Sequence, residues 1–133
     1  MRRDWVWIDT EVAEAAHAEQ LAEHGGAFST EERGVRDAGA LDSAMSRVRN
    51  LSLYGEPDWA ALAAAYGFGI ARNHPFVDGN KRTVAVVMES FMVLNGCTLT
   101  ASDAELVVTV QALAAGELSE EQLADWLRLH GLG

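Results

Sequence analysis

The sequence predicts an all-α fold, a single compact domain of about six helices over residues 1–133. Apolar residues recur at helical spacing, as in Leu41, Ala44, Met45 and Val48. Capping-box pairs, Ser102 with Glu105 and Ser119 with Gln122, stand just ahead of apolar runs. Glycine and asparagine gather in short breaks such as Gly25-Gly26 and Asn95-Gly96. At 133 residues and 14.4 kDa, with 49% apolar residues, the chain is long enough to bury a real core.

The elements follow in order. Trp5 to Ile8 alternates briefly and reads as a short edge strand or an extended lead-in. Thr10 to Glu23, rich in Ala and Glu, reads as a helix capped by Asp9 or Thr10 and ended by Gly25-Gly26. Ala27 to Ala38 is polar without a period, hence a loop. Gly39 to Leu51 is a helix with one apolar face, and Gly55-Glu56-Pro57-Asp58 is a turn. Trp59 to Arg72 is nearly all apolar, so it is expected at the centre. A loop follows, then a helix running to about Leu94, where Asn95-Gly96 breaks it. Ser102 to Ala115 and Ser119 to His130 complete the set. No internal repeat is visible.

The net charge of −10 disfavours non-specific nucleic-acid binding, which rests on neutralising phosphates, but leaves a basic protein partner open. No apolar run is long enough for a signal peptide or a membrane span. The single cysteine, Cys97, excludes an internal disulfide and is expected in the core; a reducing cytoplasm fits.

The chemistry concentrates in His74-Pro75-Phe76-Val77-Asp78-Gly79-Asn80-Lys81-Arg82-Thr83. Lys81 is the only lysine in the chain. Gly79-Asn80 lies between a loop and the apolar run Val84 to Met88, which reads as a helix start. A helix start leaves backbone N–H groups without partners and carries the positive end of the dipole. Gly79 lets a ligand approach the backbone, Asn80 adds an amide donor, and Lys81 and Arg82 add charge: together, an anion site suited to phosphate. Asp78 can hold Mg²⁺, which takes one or two carboxylates plus phosphate oxygens. His74 can take a proton from an attacking hydroxyl. Each residue also has a plain reading: an ordinary histidine, an Asp-Gly turn, a solvated Lys-Arg pair. Pro75 stiffens the loop and Phe76 anchors it to the core. The combination is far more specific than any member, and it holds the parts that phosphoryl transfer needs.

This run resembles the signature of the Fic/Doc family, His-x-Phe-x-Asp/Glu-Gly-Asn-(Gly or Lys)-Arg, at every defined position. Members that transfer AMP usually carry Gly where this chain has Lys81; the Lys form resembles the death-on-curing, or Doc, branch. Arg36-Asp37-Ala38-Gly39-Ala40-Leu41-Asp42-Ser43-Ala44, Ile70-Ala71-Arg72-Asn73 and Phe91-Met92-Val93-Leu94-Asn95-Gly96 are similar to the same branch. The resemblance implies the Fic/Doc fold, in which a central helix–loop–helix carries the motif. It implies His74 as general base, Asp78 as Mg²⁺ ligand, and Gly79, Asn80, Lys81 and Arg82 as phosphate contacts. ATP with Mg²⁺ is the implied donor, and the acceptor a hydroxyl of a cytoplasmic protein, in the Doc branch a threonine of elongation factor Tu. An antitoxin protein is the implied partner; no membrane is involved. The alternatives are transfer of AMP or another nucleotide moiety to a protein hydroxyl, and a non-catalytic interaction module on the same fold. The loop from Ala27 to Ala38 lies where the family places a flap that pairs with an extended segment of the target. Self-inhibited Fic proteins carry a Ser/Thr-x-x-x-Glu-Gly/Asn helix; the nearest match, Ser52 to Glu56, is followed by Pro57 and fails the pattern.

Overall fold

The structure, a computed structural model, describes residues 4–13, 15, 38–73 and 80–133. The expected ending of the first helix at Gly25-Gly26 and the flap loop up to Asp37 lie outside these residues.

The fold is all-α, with one small strand pair. Residues 10–13 and 15 are helical (α1). Asp9 caps this helix: its carbonyl accepts from Ala13 N–H at 3.2 Å and its carboxylate from Val12 N–H at 3.0 Å. Helix α2 spans Ala38–Leu53. It starts one residue before and ends two residues after the stretch its apolar spacing suggests. Leu41, Ala44, Met45 and Val48 form its buried face, as the spacing predicts. Helix α3 spans Trp59–Asn73. Asp58 caps it, its carboxylate accepting from Ala61 N–H at 2.9 Å.

Helix α4 covers Asn80–Leu94. It ends on the carbonyl-satisfying turn that glycine permits. Gly96 has φ +77°, its N–H donates to Val93 O at 3.1 Å, and Cys97 N–H donates to Met92 O at 2.7 Å. Cys97 is buried, as expected. Helices α5 (Asp103–Ala114) and α6 (Glu120–His130) each begin with the capping box read from the sequence. Two short strands, β1 (Thr98–Leu99) and β2 (Gly131–Leu132), pair antiparallel with Thr98 opposite Leu132. Runs of two residues carry no periodic signal, so nothing in the sequence announces them.

The lead-in at residues 5–8 is not a strand. Side chains hold its backbone. Asn95 accepts from Val6 N–H at 2.8 Å and donates to Val6 O at 2.9 Å. The Tyr66 hydroxyl accepts from Ile8 N–H at 2.9 Å and donates to Ile8 O at 3.1 Å. The rings of Trp5 and Trp7 lie 5.9 Å and 6.2 Å from that of Phe91.

Helix α3 occupies the centre, packed against α2, α4, α5 and α6. Its residues Leu62, Ala63, Ala64, Ala65, Tyr66 and Ile70 are wholly buried. Two glycines set how closely its neighbours approach. A Cβ on Gly67 would sit 2.6 Å from Met88 Sδ and 3.3 Å from Val84 Cγ1 of α4. One on Gly69 would sit 3.1 Å from Ala44 Cβ of α2. Glycine inside a helix costs about 1 kcal/mol relative to alanine; close packing on both sides offsets it. Because Gly67 lies against Val84 and Met88, α3 and α4 run side by side away from the segment that joins them.

Candidate active site

The motif bridges the two helices that pack most intimately at the centre. Helix α3 ends at Asn73, α4 begins at Asn80, and six positions, 74–79, join them. His74, Asp78 and Gly79 fall on those positions and lie outside the described residues, as do Pro75 and Phe76. Asn80 and Lys81 are the first two residues of α4, and Arg82, the third, is exposed. The reading of Gly79-Asn80 as a helix start therefore agrees with where α4 begins.

Among α2 to α6 this helix start alone carries cations in its first turn, although α2 likewise has no acid there. Helix α5 has Asp103 and Glu105 in its first turn, α6 has Glu120 and Glu121, and α3 is capped by Asp58. Those carboxylates answer the positive dipole ends. The first turn of α4 has no acid and instead carries Lys81 and Arg82. In a chain of net charge −10, that turn has no carboxylate of its own to answer the positive end of the dipole. This is what a phosphate-bearing ligand requires. No group of three or more His, Cys, Asp or Glu side chains that could hold a metal occurs among the described residues. The one carboxylate assigned to Mg²⁺, Asp78, lies outside them.

Neighbouring residues missed by sequence reasoning complete the setting. Arg72, one residue before the end of α3, is exposed, with its guanidinium 5.7 Å from the centre of the Phe68 ring. Arg47 reaches the same ring at 6.0 Å, while its own head group pairs with Glu120 at 2.7 Å. Phe68 and Arg72 line a cleft of about 550 Å³ that continues to Leu113, Gly116, Ser119 and Gln122. Two arginines, Arg72 and Arg82, thus stand on the two helices that flank the motif segment.

The second missed residue is Thr83. It is wholly buried, and its Oγ1 has no hydrogen-bond partner among the described residues. The signal was present in the sequence: Thr83 lies four residues before Val87, on a stripe otherwise apolar.

Known proteins are similar to this chain. The sequence model of the Fic/DOC family matches residues 7–92, from the lead-in nearly to the end of α4 and including the whole motif. "Toxin Doc" of Mycolicibacterium smegmatis is 43% identical over 70 residues, 50% of this chain and 53% of that protein. The chain thus spans about half the length of that curated relative. "Protein kinase doc" of Escherichia phage P1 is 33% identical over 122 residues, 91% of this chain and 92% of that protein. With the family matched over residues 7–92 and a relative aligned along 91% of its length, this chain belongs to the Fic/DOC family.

Proposed function

We propose that this chain is a Doc-like toxin of a type II toxin–antitoxin pair, acting in the cytoplasm as a protein kinase. The donor is ATP with Mg²⁺, and the acceptor is a threonine hydroxyl of a translation protein such as elongation factor Tu, whose modification arrests translation. One observation carries the reading: a complete Fic/Doc motif ends on a helix start that has two cations and no acid in its first turn. Two relatives named for Doc, one of them a protein kinase, support it. Among the described residues no helix is long and apolar enough to cross a membrane.

In this reading the residues divide the work. His74 takes the proton from the acceptor hydroxyl as its oxygen bonds to the γ-phosphorus and ADP departs. Asp78 is the ligand for Mg²⁺, which neutralises phosphate charge when bound. Gly79 and the N–H groups of the first turn of α4 receive phosphate oxygens, with Asn80, Lys81 and Arg82 adding side-chain donors. Lys81 fills space that Gly would leave open, and so orients the γ- rather than the α-phosphorus toward the acceptor. Rigid walls from α3 and α4 keep the segment in register with the acceptor. The loop ahead of α2 holds the target strand, and the antitoxin supplies inhibition.

The test is incubation of purified chain with candidate target protein and ATP labelled at the α- or the γ-phosphate, followed by mass spectrometry of the target. A gain of phosphate with γ-label supports the kinase. A gain of AMP with α-label replaces it with nucleotidyl transfer, and no gain from either label argues for a binding module.

A further inference from the structure

Helix α5 is apolar on two sides. Leu106, Thr109, Val110 and Leu113 are its buried residues. Its outward side carries Ala104, Val107 and Val108, with Val107 53% and Val108 65% exposed. A helix that is apolar all round is ordinarily covered all round. Helix α6 keeps the usual division, with Glu121, Asp125 and Arg128 exposed, except on the side that bears Trp126. Trp126 is half-buried there, and Leu129, three residues on, is 79% exposed. Ala104, Glu105 and Val108 of α5 and Trp126 of α6 line a groove of about 350 Å³ between the two helices. The His130 ring backs the indole at 4.6 Å. All of these residues lie beyond the stretch that matches the family model, which ends at residue 92.

The charges around the groove select its occupant. From Thr98 to Gly133 the chain has six acids and one arginine, and that arginine, Arg128, pairs with Asp58 and Asp125. Glu105 stands in the groove wall with its side chain more than half exposed, and Asp125 is exposed beside Trp126. A second copy of the chain would bring the same acids, and a nucleic acid or an anionic lipid surface would bring phosphates; each is repelled. A groove between two helices suits a third helix, which lays an apolar stripe into it. We propose that this groove is the docking site for a cationic amphipathic helix of a partner protein. Its apolar stripe covers Val108, Trp126 and Leu129, and its Lys or Arg side chains meet Glu105 and Asp125. The proposal is independent of the kinase reading, because it uses no residue of the motif.

The test pans the purified full chain against a displayed library of helical peptides, apolar at i, i+3, i+4 and i+7 and free to carry Lys, Gln or Glu elsewhere. Enriched peptides are expected to be net positive and to weaken as salt rises. Val108→Asp should weaken them about tenfold although it adds a negative charge, because it removes an apolar contact. Glu105→Gln should weaken them about threefold. Both positions are exposed, so both variants should melt with wild type; if the Asp variant melts lower, Val108→Gln takes its place. No enrichment, enrichment of neutral or acidic peptides, or binding that Val108→Asp and Val108→Gln leave unchanged would each overturn the proposal. So would a dimer in sedimentation, or binding to phosphatidylserine vesicles, that Val108→Asp abolishes, since the groove would then hold a second copy or a membrane.

Discussion

Replacing Tyr66 with phenylalanine removes one oxygen and strands two backbone groups. The Tyr66 hydroxyl accepts from Ile8 N–H and donates to Ile8 O, and both residues are buried. Each orphaned group costs about 1–3 kcal/mol, so the sum is about 2–6 kcal/mol. The lead-in lies at the edge of the core and can yield toward water, which favours the lower end, about 2–3 kcal/mol. For a chain of this size that lowers the melting temperature by roughly 10 °C. The pH dependence gives an independent check. Burial pushes the Tyr66 phenol from 10.0 up to about 12. A raised acid pKa leaves stability intact below the unfolded value and removes it as pH climbs toward the folded one. Wild type should therefore lose about 2–3 kcal/mol between pH 10.0 and about 12, a slope the Phe variant lacks. Denaturant melts of both proteins at neutral and alkaline pH, with tyrosinate absorbance followed alongside, measure both effects. Tyr54, the other tyrosine, is 90% exposed and present in both proteins, so it cancels. A Phe variant that melts within about 2 °C of wild type, or that shows the same alkaline slope, would refute the clamp.

Four further outcomes follow from the site and its supports. His74→Ala should lower transfer by about 10²–10⁴ while circular dichroism stays unchanged; growth arrest at equal expression would remove the base role. Asp78→Ala should abolish the Mg²⁺ dependence of ATP binding in calorimetry, and an unchanged dependence would move the metal elsewhere. Lys81→Gly should cost only about 1 kcal/mol in melting yet sharply reduce γ-label transfer, with a little α-label transfer appearing. Transfer of γ-label at the wild-type level would deprive the kinase assignment of its main support. Asp58→Asn should lose only the pairing with Arg128, about 0.2–1 kcal/mol, whereas Asp58→Ala also loses the α3 cap, about 1 kcal/mol more. The hydrogen bonds from Arg128 hold the Asp58 carboxyl below its usual 3.8, so this stability is present above that pH and fades as pH falls below it. The Asn variant should lack the acid-side loss in pH-dependent melts.

What was legible in the sequence was local. Both capping boxes, the apolar face of α2 and the stop at Asn95-Gly96 depend on residues within a turn of one another, and each stands where it was read. The misses depend on distant residues. Asn95 reads as a helix breaker, yet its amide also serves Val6 across 89 positions. The close approach of α4 to α3 at Gly67 shows only once Met88 is placed against it. The strand pair joins Thr98 to Leu132, each too short a run to show a period. At the site, the helix start at Asn80 was legible because an apolar run follows a Gly-Asn pair. Thr83 was not singled out, because a polar residue on an apolar stripe signifies only once its hydroxyl is known to be buried and without a partner among the described residues.

The clamp on the lead-in also constrains the order in which the molecule is made. Ile8 waits for Tyr66, 58 positions later, and Val6 waits for Asn95, 89 positions later. Contacts of such long separation form late, because the intervening chain must first be closed into place. Tyr66 stands on α3 and Asn95 just after α4, so the lead-in cannot settle until those two helices lie together. The lead-in is thus among the last segments to dock, with Trp5, Trp7 and Phe91 uncovered meanwhile. Native-state hydrogen exchange should show the amides of Val6 and Ile8 opening before those in the middle of α3, at a fraction of the global unfolding energy.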